Sequence, residues 1–391
     1  MELQEQIAGL VGELVRIPSQ GGIDPLDAIL GALSTWLSTQ GLDFETLRDA
    51  AHRPVALLVS LDSGRPGPVV CLDACIDTAP VGQREVWTHD PFGAVVENGR
   101  LFGRGTADSK AAVAIFCHLA RDLERTGALR RGTLHVLLDG DEHTGHFGGA
   151  RAYVARVQGK VSFVAIGYPG PEKLIVGARG VFRATLKTFG DEVHSGATIA
   201  GRTRSALVKM AALVEDLSRQ PPLPPEVDPD FTWGPGLTVT RIQGGSGFTQ
   251  LPGVCEADVD IRLTPGFGAE AARHLLTASL ERIDRMLPGP RASIVEEREP
   301  WPPYKLAPSL PAVQILQECA QSALGRSVPL AVSRLSNIGN YLATQGIPAT
   351  CGLGVEYENV HAPNESIALS SLLPIYDIYR QAVLRWTEVL L

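Results

Sequence analysis

Three apolar stretches of this chain each end at a run of polar residues, and this pattern constrains the fold more than any other feature. The stretches are Pro68–Ala74, Thr133–Leu138 and Val161–Ile166, each of strand length and rich in aliphatic residues. Between the first two lies Lys110–Leu123, whose apolar positions have helical spacing. Alternating buried strands and helices are typical of a sheet with helices on its faces. We therefore predict an α/β protein with a mixed, largely parallel sheet flanked by helices.

The polar runs beyond these stretches indicate where a ligand binds. They are Asp73–Pro80, Asp139–His146 and Gly167–Gly170. The carboxyl ends of parallel strands lie at one edge of a sheet, and ligands of such sheets bind beyond that edge. The sequence therefore predicts one site built from these three runs.

The middle of the chain has a different pattern. Phe182–Phe189 and Cys255–Leu263 alternate between apolar and polar residues like strands with one exposed face. Ser205–Leu217 and Ala269–Met286 have helical spacing. We predict an inserted α+β domain, formed by one sheet with two helices on one face.

The helix–strand alternation then resumes, so the first domain is predicted to be discontinuous. Its parts are residues 1–177 and 300–391, and the insert is 178–299. A helix is predicted at Met1–Ile17, and Ile347–Leu353 is predicted to rejoin the first sheet. The proline-rich stretch at 220–235 is predicted to be a loop within the insert.

Composition excludes several classes of protein. The 391 residues carry 43 acidic and 35 basic side chains, a formal charge of −8, which argues against a nucleic-acid partner. No apolar run approaches the roughly 18–20 residues of a membrane span. Six cysteines without a CxxC pair suggest a reducing compartment, and we expect a cytoplasmic protein.

Four segments carry residues typical of metal chemistry. CIDTAP contains Cys75 and Asp77, and GRGTADSK contains Asp108. DGDEHTGH contains Glu142 and His143. The fourth segment, NVHAPNESI, contains His361 and Glu365. Each is weak alone, because an Asp before a helix is more often an N-cap than a ligand, but together they indicate a site.

The four segments resemble those of the zinc-dependent family of acetylornithine deacetylase, succinyl-diaminopimelate desuccinylase and carboxypeptidase G. The resemblance extends to WTHDPFGAVVENGRLFGRGTADSK, GARGVFRATLKTFGDEVHSGA and VDIRLTP, and thus to nearly the whole chain. It implies a zinc-exopeptidase-like catalytic domain, with the insert acting as a dimerisation or lid domain. It also implies a homodimer.

The resemblance implies a ligand set from which this chain departs. Family members usually bind two metal ions bridged by an aspartate, which falls on Asp108, and use a C-terminal histidine, which falls on His361. The histidine of the HxD motif falls on Cys75, and the second glutamate of the EE pair falls on His143. In the family a further acidic ligand precedes a proline later in the chain, and here Tyr168 occupies that position. Three of the five ligand positions are therefore changed.

Charge limits how many metal ions such a set holds. Two dications about 3.5–4 Å apart repel by roughly 18 kcal/mol at an effective dielectric constant near 20. Asp108 is the one certain anion of the set, since tyrosine is ordinarily neutral. We predict a single divalent ion held by Asp108, His143 and His361, with Cys75 as a further candidate ligand. Such a donor set suits zinc, with manganese or iron as alternatives.

Other roles follow from the resemblance. Glu142 falls at the position of the general base, which takes a proton from water and returns it to the leaving amine. Asp77 falls at the position of the aspartate in the HxD motif, which orients the ligand two residues before it. His194, in EVHSGA, matches a histidine that reaches across the dimer to the oxyanion of the intermediate. Arg262 and Asn340 are candidates for binding a substrate carboxylate.

Several of these residues also have structural interpretations. Cys75 fills buried space as readily as it binds a metal ion, and Arg262 is placed to pair with Asp260. Tyr168 either donates a hydrogen bond to the substrate or the attacking water, or is inert.

The predicted function is metal-dependent hydrolysis of an amide bond in an N-acyl amino acid or small peptide-like substrate that carries a carboxylate. One alternative is altered chemistry on the same scaffold, with Cys75 as the nucleophile of an acyl transfer or a cyclisation. A second is a non-catalytic binding protein. Retention of Asp77 and Glu142 argues against a pure binder, because binding needs no proton-transfer carboxylate.

Overall fold

The computed structural model describes residues 2–200, 202–220, 223–224 and 228–390. Part of the loop predicted at 220–235 lies outside these residues. The predicted helices and strands of both domains are confirmed to within three residues at each end. The helices α1 to α9 span Leu3–Val15, Asp27–Thr39, Ala111–Thr126, Gly148–Val157, Ala206–Ser218, Ala269–Met286, Pro311–Leu324, Ile338–Thr344 and Leu372–Val389.

The strands are numbered in chain order over the same described residues. Strands β1 to β10 span Phe44–Arg48, Pro54–Asp62, Val69–Cys75, Val95–Glu97, Arg100–Phe102, Thr133–Asp139, Phe163–Ile166, Leu174–Ala178, Gly180–Phe189 and Val193–His194. Strands β11 to β19 span Gly236–Gly244, Gln250–Leu251, Val254–Leu263, Ile294–Glu297, Tyr304–Lys305, Leu330–Ser333, Ala349–Cys351, Tyr357–Glu358 and Ser366–Ala368.

The chain forms two compact units, and the larger contains a six-stranded sheet. Unit 1 comprises Met1–Gly177, Lys305–Ser333 and Asn337–Leu391. Its sheet has the strand order β1-β2-β6-β3-β7-β17. The pairs β6/β3, β3/β7 and β7/β17 are parallel, and β1/β2 and β2/β6 are antiparallel. The predicted mixed, largely parallel sheet is confirmed, as is the return of the C-terminal strand to it.

The core of unit 1 forms between this sheet and its helices. The last six residues of β3 are buried, as expected for a strand covered on both faces. The first ten residues of α3 are also buried and are mostly Ala and aliphatic residues. Helix α3 ends at Gly127, whose left-handed φ of 58° suits a glycine C-cap. Burial of α3 fixes the turn that precedes its first residue, where Asp108 lies.

Unit 2 contains a four-stranded sheet with the order β11-β13-β9-β14. Alternate residues of β13, from Cys255 to Leu263, are buried and share one apolar cluster with α5 and α6. Both helices therefore cover the same face, which confirms the α+β insert. The other face of β13 carries charged residues such as Asp260 and Arg262.

Unit 2 spans Ala178–Tyr304 and includes Arg334–Ser336, so it ends after Tyr304 rather than after 299. The physical reason is backbone pairing. Arg298 N–H donates to Arg183 O, and Trp301 forms a bridge with Val181, which keeps this stretch on the sheet of unit 2. None of the described helices has the length and apolar character needed to cross a membrane.

Candidate active site

The predicted site lies at one edge of the six-stranded sheet. Strands β3 and β6 run parallel and end side by side, where Cys75 is paired with Asp139. Strand β7 runs parallel to β3 and ends at Ile166. Around this edge the structure brings together the predicted residues Cys75, Asp77, Asp108, Glu142, His143, Tyr168 and His361.

Asp108 is the centre of this group. Its Oδ2 lies 2.8 Å from His361 Nε2 and 3.5 Å from His143 Nε2. Its Oδ1 accepts a hydrogen bond of 2.8 Å from the Ser109 hydroxyl. Burial raises the pKa of this carboxyl, but the hydrogen bonds and charges of the two imidazoles outweigh burial and hold the pKa well below its ordinary value. Asp108 is therefore ionised, as a metal ligand must be.

His143 is buried in a negatively charged environment. Its Nδ1 lies 3.2 Å from Glu142 Oε2 and 3.4 Å from Asp77 Oδ2. Burial lowers the pKa of His143, but the charge of Glu142 and the close carboxylates of Asp108 and Asp77 outweigh it and raise the pKa well above its ordinary value. The surroundings of this ring favour a positive charge, which either a proton or a metal ion can supply.

The donor set fits a metal ion. The ligand atoms of Asp108, His143 and His361 all lie within 4.8 Å of one another. Both ring nitrogens of His143 are buried, and among the described residues neither has a hydrogen bond of acceptable geometry. A buried ring nitrogen without a partner is destabilising unless a further group binds it. Two histidines and one carboxylate provide the three protein ligands of a zinc site with an open position.

Asp77 holds the loop that carries Glu142 and His143. Its buried carboxylate accepts the backbone N–H of Glu142 at 3.1 Å and that of His143 at 2.9 Å. Gly21 packs against this contact, and a Cβ at Gly21 would lie 2.9 Å from His143 Cβ and 3.0 Å from Asp77 Oδ2. Asp77 therefore orients its neighbours through their backbone.

Glu142 and Tyr168 form a hydrogen-bonded pair. The Tyr168 hydroxyl donates to Glu142 Oε1 at 2.9 Å. Burial and the charges of Asp108 and Asp77 raise the pKa of Glu142 to about 7, although the charge of His143 opposes them. A pKa near neutrality suits a general base. Burial and the charge of Glu142 raise the pKa of Tyr168 well above its ordinary value, so the phenol keeps its proton.

Cys75 lies beside the three candidate ligands but is not one of that group. Its Sγ is 3.9 Å from Asp108 Oδ1, 4.0 Å from Glu142 Oε2 and 3.4 Å from Ser109 Oγ. The side chain is fully buried. Burial and three nearby carboxyl groups raise the pKa of this thiol well above its ordinary value, which disfavours the thiolate.

Two supporting residues received no role from the sequence. Glu365 is fully buried and accepts the backbone N–H groups of Ala107 at 2.9 Å and Asp108 at 3.3 Å. Arg104, also buried, pairs with Glu365 at 2.5 Å and donates to Pro80 O. The pair fixes the turn that aims Asp108. The sequence did contain a signal for this pair, because both residues lie in motifs that also carry candidate metal ligands, GRGTADSK and NVHAPNESI.

A second pair of unassigned residues lies beneath the site. Asp73 and Asp139 are buried, and their carboxyl oxygens have no hydrogen-bond partner among the described residues. Burial and the charge of Glu142 raise the pKa of Asp73 to about 8. Burial, followed by the charge of Asp73, raises the pKa of Asp139 well above its ordinary value. The sequence signal for both residues is an acidic side chain within, or at the end of, an otherwise apolar strand.

The remaining predicted residues lie elsewhere. His194 is exposed in unit 2, and its Nδ1 accepts the N–H of Gly196 at 3.0 Å. Arg262, also in unit 2, pairs with Asp260 at 2.8 Å and donates to Ser336 Oγ at 3.3 Å. Asn340 is fully buried in α8 of unit 1, where its Oδ1 accepts a helix-capping hydrogen bond.

Comparison with known proteins identifies the family. The model of Peptidase family M20/M25/M40 matches residues 71–385. Acetylornithine deacetylase of Proteus mirabilis is 26% identical over 390 residues, covering 96% of this chain and 95% of that protein. Succinyl-diaminopimelate desuccinylase of Parvibaculum lavamentivorans is 28% identical, covering 95% of this chain and 93% of that protein.

A solved structure shows the same fold. The M20 family metallo-carboxypeptidase Sso-CP2 of Sulfolobus solfataricus superposes with a TM-score of 0.80 at 17% identity, covering 100% of both chains. The chain belongs to Peptidase family M20/M25/M40, which confirms the resemblance found in the sequence. It is an amidohydrolase of the peptidase and deacylase type, acting on peptide or acyl-amino acid amides.

Proposed function

We propose that this protein hydrolyses the amide bond of an N-acyl amino acid or small peptide-like substrate with one divalent metal ion. Asp108, His143 and His361 would hold the ion, with zinc favoured over manganese or iron by the ligand types. The observation that carries the proposal is the convergence of these three residues around buried ring nitrogens of His143 that have no hydrogen bond of acceptable geometry among the described residues.

The residues around this centre have complementary roles. A bound dication acidifies water and polarises a carbonyl group. Glu142 takes a proton from the attacking water and delivers it to the leaving amine nitrogen. Asp77 keeps Glu142 and His143 in place through its two backbone hydrogen bonds. Tyr168 holds Glu142 and also contributes to binding the substrate.

Substrate binding and assembly extend the proposal to unit 2. Arg262 binds a substrate carboxylate with the N–H groups not used by Asp260 and Ser336, and Asn340 is a second candidate for that role. His194 stabilises the intermediate in a second copy of the chain, because its Nδ1 accepts a backbone N–H and its Nε2 is left to donate. The homodimer is supported by β11, an edge strand whose residues are mostly exposed.

We also propose a cytoplasmic location. All six cysteines are buried free thiols, as expected in a reducing compartment. The alternative with Cys75 as a nucleophile has less support, since that thiol is fully buried and its pKa is raised by burial and neighbouring carboxyl groups.

The test is the metal content per chain of gently purified protein, beside His143→Ala. We expect about one ion in the wild type and none in the variant. His274→Ala, which removes an exposed imidazole from α6, is the matched control and should keep its ion. Two ions in the wild type would show that ligands beyond the three contribute. A protein that binds neither zinc nor manganese would overturn the proposal.

A further inference from the structure

We propose that the Tyr168 hydroxyl donates a hydrogen bond, in addition to the one proposed for His194, that stabilises the negative charge on the substrate's carbonyl oxygen during amide hydrolysis. This inference rests on the proposed function, because it assigns one step of that reaction to a named group. It makes Tyr168 a catalytic residue rather than only a support for Glu142.

The backbone around Tyr168 is held rigidly. Gly354 N–H donates to Gly170 O and Gly170 N–H donates to Val355 O, each at 3.0 Å. Gly354 approaches so closely that a Cβ there would lie 2.2 Å from Tyr168 O. A fixed backbone limits the movement needed when charge develops to a change in the direction of the O–H bond, which makes the donor effective in catalysis.

The hydroxyl is also placed next to the reacting groups. It lies 2.9 Å from Glu142 Oε1, the carboxylate proposed to take the proton of water. A general base must lie within hydrogen-bond reach of the proton it takes. A donor in contact with that base is therefore close to the carbonyl that the water attacks.

The reaction changes which acceptor attracts the Tyr168 hydroxyl most strongly. Water gives one proton to Glu142, its oxygen bonds to the carbonyl carbon, and the π electrons of the carbonyl move to its oxygen. Glu142 thereby becomes neutral while the substrate oxygen becomes negative. Hydrogen bonds to a charged acceptor are roughly twice as strong as those to a neutral one. The Tyr168 O–H therefore transfers its hydrogen bond, without its proton, from Glu142 to the substrate oxygen.

The second half of the reaction restores the first arrangement. When the intermediate collapses, the C–N bond breaks and the amine nitrogen takes the proton held by Glu142. The acid product then loses its own proton to water, and Glu142 is again a carboxylate that accepts from Tyr168. Tyr168 keeps its proton throughout, so it needs no base of its own.

The neighbouring donors are less suitable for this step. The Ser109 hydroxyl is bonded to Asp108 Oδ1 at 2.8 Å, and Asp108, unlike Glu142, keeps its charge during the proposed reaction. The Cys75 thiol is fully buried, and a thiol is a weak donor. Tyr168 is only partly buried and is a strong donor, so among these three groups it fits the role.

The experiment compares Tyr168→Phe with the wild type on a panel of N-acetyl and N-succinyl amino acids. We expect kcat to fall roughly 10²–10³-fold, with KM and metal content per chain unchanged. The fall should be the same from pH 6 to pH 9. A phosphinic analogue of the best substrate should bind the variant more weakly by the same factor, whereas the carboxylate product should bind both proteins equally.

Tyr376→Phe is the matched control, because it removes a hydroxyl of a buried tyrosine that donates to Asp122 Oδ2 instead. It should keep the wild-type kcat. A kcat for Tyr168→Phe within about three-fold of the wild type overturns the inference. So does a loss that disappears at high pH, since Tyr168 would then act only on the protonation of Glu142. A wild type that is metal-loaded but inactive on the whole panel and does not bind phosphinic dipeptides overturns the proposed function itself.

Discussion

The two carboxylate oxygens of Asp108 face opposite kinds of neighbour. Oδ2 faces the ring nitrogens of His143 and His361, at 3.5 and 2.8 Å. Oδ1 faces the hydroxyl of Ser109 at 2.8 Å and the thiol of Cys75 at 3.9 Å, both of which carry their own protons. A cation needs lone pairs that are not occupied by protons. One aspartate is thus suited to hold a metal ion on one side and to accept hydrogen bonds on the other.

This difference supports the proposal that one metal ion binds, on the Oδ2 side of Asp108. On the Oδ1 side, a second dication would require Cys75 to lose its proton in surroundings that raise the pKa of its thiol. On the Oδ2 side, the charged surroundings of His143 already favour a positive charge. The neighbours of Asp108, rather than Asp108 itself, distinguish the two sides.

The largest effect is expected on kcat, from Glu142→Gln, which tests whether catalysis can be lost while the Oδ2 side of Asp108 still binds its metal ion. This variant removes the proton-transfer group and leaves Asp108, His143 and His361 unchanged. We expect kcat to fall roughly 10²–10⁴-fold with about one metal ion still bound per chain. Steady-state kinetics and metal analysis on the same preparation test both parts. A variant that also loses its metal ion would show that the base and the ligand set cannot be separated.

The next largest effect is expected on stability, from a variant that breaks the Arg104–Glu365 pair supporting the turn that carries Asp108. Arg104→Met leaves Glu365 buried without its cationic partner, which typically costs about 3–5 kcal/mol of unfolding free energy. Denaturant unfolding measures it. The control is Arg156→Met, because Arg156 pairs at 2.8 Å with Glu45, both side chains are exposed, and such a pair is worth about 1 kcal/mol or less. Equal losses in the two variants would contradict a special role for the buried pair.

Asp73, on the strand that carries Cys75, gives a smaller effect that depends on pH. Burial raises the pKa of Asp73 in the folded protein to about 8, above its value in the unfolded chain. The folded state therefore binds more protons between about pH 4 and pH 8, and unfolding free energy falls as pH rises through that window. Asp73→Asn should remove up to about 1.4 kcal/mol per pH unit of this slope.

Urea unfolding of the metal-free protein from pH 5 to pH 8 measures that slope. Asp43→Asn, which removes an exposed carboxyl before β1, is the control and should leave the slope unchanged. If Asp73→Asn has the same slope as the wild type, the carboxyl of Asp73 is already ionised in the folded protein.

The smallest effect is expected from Cys75→Ser on the Oδ1 side. Serine keeps a neutral group with its own proton, so metal content should stay the same and kcat should change by about three-fold or less. Metal analysis before and after treatment with a thiol-alkylating reagent complements the measurement. Loss of an ion in Cys75→Ser would identify the thiolate as a ligand and would remove the difference between the two sides.

The sequence predicted the elements better than the site. The strands that end at Cys75, Asp139 and Ile166 were visible because apolar runs stop at polar residues, and local pattern is enough to find them. The insert was visible because β13 alternates between buried and half-buried residues. The boundary near Tyr304 was missed, because it depends on backbone pairing between distant residues and not on composition.

Within the site, residue types were predictable but partners were not. The resemblance to the family's motifs identified Asp108, His143 and His361 as candidates, and the structure brings their ligand atoms within 4.8 Å of one another. The hydrogen bond from Tyr168 to Glu142 joins two loops that are 26 residues apart, so no local pattern reveals it. The support of Asp108 by Glu365 likewise requires a contact across more than 250 residues.

The uneven exposure of the three candidate ligands has a consequence for metal exchange. The side chains of His143 and Asp108 are 6% and 10% exposed, whereas that of His361 is 47% exposed. With an ion held as proposed, His361 is the protein ligand that a chelator would reach first. Rotation of that one side chain would set the rate of release, while the two buried ligands stay in place. Rebinding of a metal ion would then require only that the His361 imidazole turn back towards Asp108 and His143.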